Sequence, residues 1–284
     1  MAVWLQFFKE RLPLPILLIM SVGFTGTSQA LGTGHSPGPP MIIGVGLNLL
    51  FFVVMRVMDE VKDFTKDQVA YPERPLPRGL ITLEQARNLV RLGLFALLGG
   101  GTLLAATGHA FASLLFFGTV AYLFLMYKEF YAPEWLDKHL IVYLISHQSV
   151  LVLLSASSVA MSSSESPDCL SLLRPGLFLL ATFFVYEVAR KLNPQSHPIL
   201  RTYRVHYGIR KTGYLLVSGN LLMLLGIAAN ATSLGHAAPL LGIAPVLISI
   251  LYIPWAASKF KSLEGLAGLM LLVNLWVPFL IVIL

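Results

Sequence analysis

Residues 58–79 read MDEVKDFTKDQVAYPERPLPRG: four carboxylates, Asp59, Glu60, Asp63 and Asp67, run into a loop rich in proline and arginine that closes on Gly79. The stretch stands out because the 284-residue chain around it is 56% hydrophobic and only 12% charged, against roughly 25% charged in soluble domains. A sequence this apolar takes lipid as its solvent. Apolar runs near the length that crosses a bilayer core as a helix fall at about 13–32, 40–62, 83–107, 109–127, 139–162, 170–191, 209–231, 239–258 and 262–284. They leave no room for a separate soluble domain, so we expect one all-α membrane domain over 1–284 with nine transmembrane helices.

The basic residues test this map independently, because Lys and Arg accumulate in loops that stay on the cytoplasmic side. With the N-terminus placed inside, the inner loops carry Lys62, Lys66, Arg74, Arg78, Arg87 and Arg91; Lys128 and Lys138; Arg190, Lys191, Arg201, Arg204, Arg210 and Lys211; and Lys259 and Lys261. Lys9 and Arg11 join them, and the opposite face keeps Arg174 alone. The net charge of +6 is therefore topological. No basic stretch is interleaved with stacking aromatics as a nucleic-acid surface requires. The first span has a basic start and a small-residue "TSQA" in the manner of a signal peptide, but we expect it to be retained. The single Cys169 excludes an internal disulfide and a cysteine-based metal cluster. Asn230-Ala-Thr matches a glycosylation sequon on the outer side, a tripeptide frequent by chance.

Polar residues concentrate in the loops after spans two and six. Asp59, Asp63 and Asp67 lie at i, i+4 and i+8, one side of a helix if span two continues past the membrane surface. Like charges at that spacing repel. A divalent cation relieves the repulsion, and oxygen ligands of this kind suit Mg²⁺; local pairing with Lys62 and Lys66 is the alternative. Beyond the prolines, Thr82 is a helix N-cap whose capping box Gln85 completes.

Taken together, DEVKDFTKD and PERPLPRG resemble the first signature of the UbiA-type intramembrane prenyltransferase superfamily, an Asn-Asp-x-x-Asp-x-x-x-Asp run followed by an Arg-Pro-Leu-x-Ser-Gly loop. Nine spans, an inside N-terminus and polar loops after spans two and six fit the same resemblance. It implies helices bundled around a central apolar cavity, in which an isoprenyl diphosphate is bound with Mg²⁺ bridging aspartates and diphosphate, and its prenyl group passes to an acceptor. By position Asp63 and Asp67 match the metal-binding aspartates; Asp59 stands where Asn is usual, Glu60 where Asp is usual and Arg78 where Ser is usual. Lys128, in LMYK at the end of span four, resembles a diphosphate-contacting lysine, or is a snorkelling anchor. Arg56, one turn before Asp59, pairs with a carboxylate or reaches a phosphate oxygen, and Arg74 joins the diphosphate-binding set.

Span six ends FFVYEVARKLNPQSHPILRTYRVHYG, where the family carries a second aspartate-rich run. Glu187, Lys191 and Gln195 occupy the expected acidic positions, so one carboxylate survives. Glu187 is the candidate metal ligand there, with Arg190, Lys191 and Arg201 as diphosphate contacts that supply fixed positive charge; the alternative is an ion pair at a helix end. His147 and Gln148 are polar groups inside span five, lining a chamber or bonding a neighbouring helix. Asn48 lies on the line toward Asp59, and the Gly99–Gly101 run allows close packing.

The expected function is Mg²⁺-dependent prenyl transfer from an isoprenyl diphosphate to a lipophilic, aromatic acceptor. The altered second signature keeps a UbiA-type terpene cyclase acting on a substrate such as geranylgeranyl diphosphate as the close alternative. A lipid-binding or transport bundle without catalysis is the third reading; acidic residues gathered at one surface rather than at the midplane disfavour it.

Overall fold

The computed structural model describes residues 2–163 and 167–284. A short amphipathic helix α1 (Ala2–Arg11) precedes the first span, α2 (Leu14–Thr33). Then follow α3 (Pro40–Lys62), a helical extension α4 (Phe64–Ala70), α5 (Leu83–Ala106), α6 (Ala110–Tyr127) and a loop helix α7 (Pro133–Lys138). The fifth span consists of α8 (Leu140–Gln148) and α9 (Val150–Ser162), joined through Ser149, which keeps helical φ and ψ, and α10 (Cys169–Ala189) and α11 (Tyr203–Ala229) carry the sixth and seventh. A single turn, α12 (Ala231–Leu234), leads to α13 (Ala237–Trp255) and α14 (Phe260–Ile283). Among the described residues nine helical segments are long and apolar enough to cross a bilayer, which makes this a multi-pass membrane bundle. Gly208, at φ 72° and ψ 173°, interrupts α11, so the continuous seventh span starts near residue 209, where the hydropathy places it.

The spans close into a ring. Each packs on the next, from α2 through α3, α5, α6, α9, α10, α11 and α13 to α14, which returns to α2. The helices α2 and α10 also touch α9 and α14 or each other across the ring, so they lie innermost. α2 can do this because its interior side is small: a Cβ at Gly26 would sit 2.5 Å from the Phe279 ring of α14. Polar groups lock the same region. Asn48 on α3 donates to Thr25 Oγ1 of α2 at 2.8 Å and Ser158 Oγ of α9 at 3.0 Å, and Gln29 donates to the Ser158 carbonyl. In lipid such bonds hold helices that hydrophobicity alone does not sort.

Where α2, α3 and α10 meet, the interior is occupied by aromatic rings. Phe24 contacts Phe52 edge to face at 5.7 Å and Phe183 at 6.3 Å, and Phe51 packs on Phe52. Gly100 and Gly101 serve the packing role expected of the span-three glycines, against Leu47 and Phe117, whereas a Cβ at Gly99 would meet nothing.

Candidate functional site at the basic end of the bundle

The three aspartates stay in line across the end of α3. The backbone N–H of Asp63 donates to the Asp59 carbonyl, Asp67 to Asp63 and Tyr71 to Asp67, each at 2.8 Å, so helical i+4 bonding runs on through the bend at Asp63. Their surroundings differ sharply. Asp67 is buried and accepts both oxygens' bonds from the Arg74 guanidinium, at 2.8 and 2.7 Å, while Arg74 stacks 3.7 Å over the Tyr71 ring. Glu60 is buried too, its Oε1 held by Arg11 Nε at 2.8 Å and by Arg56 at 3.2 Å. The sequence left Arg56 between a carboxylate and a phosphate; it is on the carboxylate. Asp59 has only a long contact, 3.7 Å, to Lys62. Asp63 is half-buried, and its carboxyl is pushed above the usual range by burial and then by the Asp59 charge. Lys62 and Lys66 act in the opposite direction.

Arg78, at the position where the family motif has serine, reaches across to α1. Its guanidinium donates to both Glu10 oxygens at 2.9 and 2.8 Å and to the Glu73 carbonyl. With Arg11 on Glu60, this ties α1 to the acidic segment at two points. Sequence reading had no means to find Glu10 and Arg11, because their partners lie about fifty to seventy positions away.

On the second polar loop, Glu187 meets Arg190 Nε at 2.5 Å and Lys191 Nζ at 2.6 Å, one partner per oxygen. The charge of Glu187 raises the Arg190 pKa, and Asp59 adds to it from the other loop, so the two loops face each other. They are also bridged. Asp137 on α7 pairs with Lys66 of α4 at 3.2 Å and with Arg201. Arg201 was expected on a diphosphate; it is on Asp137, a residue the sequence did not single out. Arg204 caps the carbonyls of Leu192 and Ala256.

Lys128 ends α6 in an open groove of about 520 Å³ with Lys62, Arg87, Arg91, Phe124 and Tyr127. Lys62 connects this groove to the aspartates on one side and to span five on the other, donating to Tyr143 Oη at 2.7 Å. Immediately after Lys128, Glu129, Phe130 and Tyr131 all have positive φ, 48°, 52° and 57°. A left-handed turn of three side-chain-bearing residues costs roughly 1–2 kcal/mol per residue. It presses the Phe130 ring edge-on against Tyr122 at 5.4 Å and His147 at 5.9 Å.

Of the five carboxylates expected around a metal, then, Asp67 and Glu187 carry cationic partners on both oxygens and Glu60 on Oε1 alone, its Oε2 being buried without a partner, while Asp59, with one long lysine contact, and Asp63 have oxygens to offer. Among the described residues no three His, Cys, Asp or Glu side chains converge as a metal site. Two carboxylates still fit Mg²⁺, which takes one or two from the protein and completes its shell with water and substrate phosphate.

Comparison with solved structures places this architecture. The chain superposes over 98% of its length, and 99% of the other chain, on a UbiA homologue from Archaeoglobus fulgidus, with TM-score 0.63 and 12% identity. The fold is that of the UbiA homologues. A second, from Aeropyrum pernix K1, matches 90% of this chain and 97% of its own at TM-score 0.61 and 15% identity. A digeranylgeranylglyceryl phosphate synthase matches over the full length of both chains at TM-score 0.61 and 14% identity. No protein-family model matches the sequence, and no curated protein does. The chain thus shares this fold at 12–15% identity.

Proposed function

We propose that this protein is a Mg²⁺-dependent membrane prenyltransferase that ionises an isoprenyl diphosphate and passes the prenyl group to a lipophilic, aromatic acceptor, with the basic end of the bundle facing the cytoplasm. The observation that carries this is the pairing of a UbiA fold over the whole chain with two facing polar loops, one offering Asp59 and Asp63, the other Arg190 and Lys191. Asp59 and Asp63 would hold the cation, which when bound neutralises diphosphate charge and so eases departure of the leaving group. Arg190, Lys191 and Lys128 supply fixed positive charge toward the same leaving group. Arg74 and Arg56 act through the carboxylates they pair with, holding Asp67 and Glu60 in place. The apolar bundle excludes water from the carbocation.

Cyclisation of the same substrate is the second reading, favoured by one observation: Glu187 is neutralised by two cations rather than joined by other carboxylates. Incubation of the purified protein in detergent with geranylgeranyl diphosphate and Mg²⁺ separates the readings. Diphosphate release only with an added acceptor supports transfer, release with a cyclic hydrocarbon or alcohol and no acceptor supports cyclisation, and no release at any chain length leaves a binding or transport bundle. Asp63→Ala abolishes turnover in both enzymatic cases; retained turnover refutes the metal assignment.

A further inference from the structure

His147 lies near charged groups of both loops. Its Nδ1 lies 2.8 Å from the Tyr143 carbonyl. A carbonyl only accepts, so Nδ1 carries the proton, and in the neutral ring Nε2 is left with a lone pair. Nε2 is fully buried and has no hydrogen-bond partner. Orphaned acceptors of this kind are rare in native proteins and ask for a reason.

The surroundings point to one. The imidazole stacks on Tyr143, centroids 3.8 Å apart and planes at 13°, and Tyr143 Oη is bonded by Lys62, the residue before Asp63. The charged side chains acting on the imidazole are Lys62, Lys191 and Glu187, from both polar loops. His147 is the eighth residue of α8, so it sits about 10 Å below that helix's start at 1.5 Å per residue. The helix tightens two residues beyond it: Ser149 keeps helical φ −60° and ψ −23° and its N–H bonds to the Ile145 carbonyl, while Val152 N–H bonds back only three residues, to the Ser149 carbonyl. Tyr122, Phe130 and Tyr143 present aromatic rings around the same point, and such rings attract a carbocation.

We propose that Nε2 of His147 is the base that takes the proton released when the allylic cation is consumed. The proposal rests on the isoprenyl diphosphate reading. Ionisation breaks the carbon–oxygen bond and the electron pair leaves with diphosphate. The nucleophile, an acceptor hydroxyl, an aromatic carbon or an alkene of the same chain, then forms a new bond to the cation. One proton is lost from the nucleophile or from the carbon beside the final cation, and its bonding electrons stay with the product. Nε2 accepts it.

The test separates ionisation from proton removal. His147→Asn retains an Nδ donor for the Tyr143 carbonyl and lacks the Nε2 lone pair; His147→Gly is assayed with and without added imidazole. Diphosphate release and products are measured with geranylgeranyl diphosphate and Mg²⁺, with acceptor and without. The expected result is release within about threefold of wild type, while the normal product falls about 100-fold, the lower end of what a general base contributes. Linear alcohols or alkenes replace it, and imidazole restores the normal product in the glycine variant. An unchanged product profile in His147→Asn overturns the proposal, as does equal loss of release and product without imidazole rescue. A wild-type protein that releases no diphosphate from an isoprenyl diphosphate of any chain length, with acceptor or without, overturns the isoprenyl reading and this proposal together.

Discussion

Arg78 shows how much a single side chain can change meaning once its partner is known. In sequence it is a departure from the family motif; in space it is one half of a clamp on Glu10 that docks α1 beside the acidic segment. The Arg78 bond lowers the Glu10 pKa, so the folded state binds that proton less tightly than the unfolded chain. The contribution is present above the ordinary Glu pKa of about 4.3 and is lost as pH falls below it. Hydrogen exchange across residues 2–11 should therefore rise at low pH in wild type, and in Arg78→Ser it should already be high at neutral pH. Glu187→Ala makes a second test at this scale. Because Glu187 positions Arg190 and Lys191 rather than completing a cluster of carboxylates, its loss should reduce kcat partially and raise KM for the diphosphate, in contrast to the null phenotype of Asp63→Ala. An equal effect of the two variants would show that Glu187 is a metal ligand after all.

Among the elements, α5 was the most legible. Thr82 and Gln85 form the capping box read from their spacing, with Gln85 N–H donating to Thr82 Oγ1 at 3.1 Å and Thr82 N–H to Gln85 Oε1 at 2.8 Å. Thr82→Ala should lower stability by about 1 kcal/mol and Thr82→Ser should restore it, measured by thermal unfolding in detergent. The proline-rich segment before it ends at Gly79, whose φ of 79° only glycine adopts without strain. Span five was the least legible. Its polar run His147-Gln148-Ser149 coincides with the tightening at Ser149, but hydropathy reports solvent, not backbone hydrogen bonding, so the tightened turn itself was not legible. The left-handed turn at Glu129–Tyr131 was equally hidden, since none of its residues is a turn former.

For the whole molecule, the ring of nine spans depends on close approach of α2 to α14 and on buried amides. Asn48→Ala removes both bonds that join α3 to α2 and α9 and should cost about 1 kcal/mol, within the range of interhelical bonds in membranes. Gly26→Val drives a side chain into the Phe279 ring and should lower the unfolding temperature further than Asn48→Ala; a smaller shift would mean α14 gives way freely.

The sequence alone determined the number of spans among the described residues, the end of the bundle that carries positive charge, and the two loops where charged residues gather. Each follows from local rules: a length of apolar chain, the sidedness of lysine and arginine, and the spacing of carboxylates along a helix. Tertiary structure alone decided which carboxylates keep free oxygens. Arg11 on Glu60 Oε1, Arg74 on both oxygens of Asp67 and the Arg190–Lys191 pair on Glu187 leave Asp59, Asp63 and the second oxygen of Glu60, and the fold stacks His147 on the Tyr143 that Lys62 bonds. Ion pairing falls off with distance in space, and only the folded ring sets the distance between residues 11 and 60, or between 62 and 143.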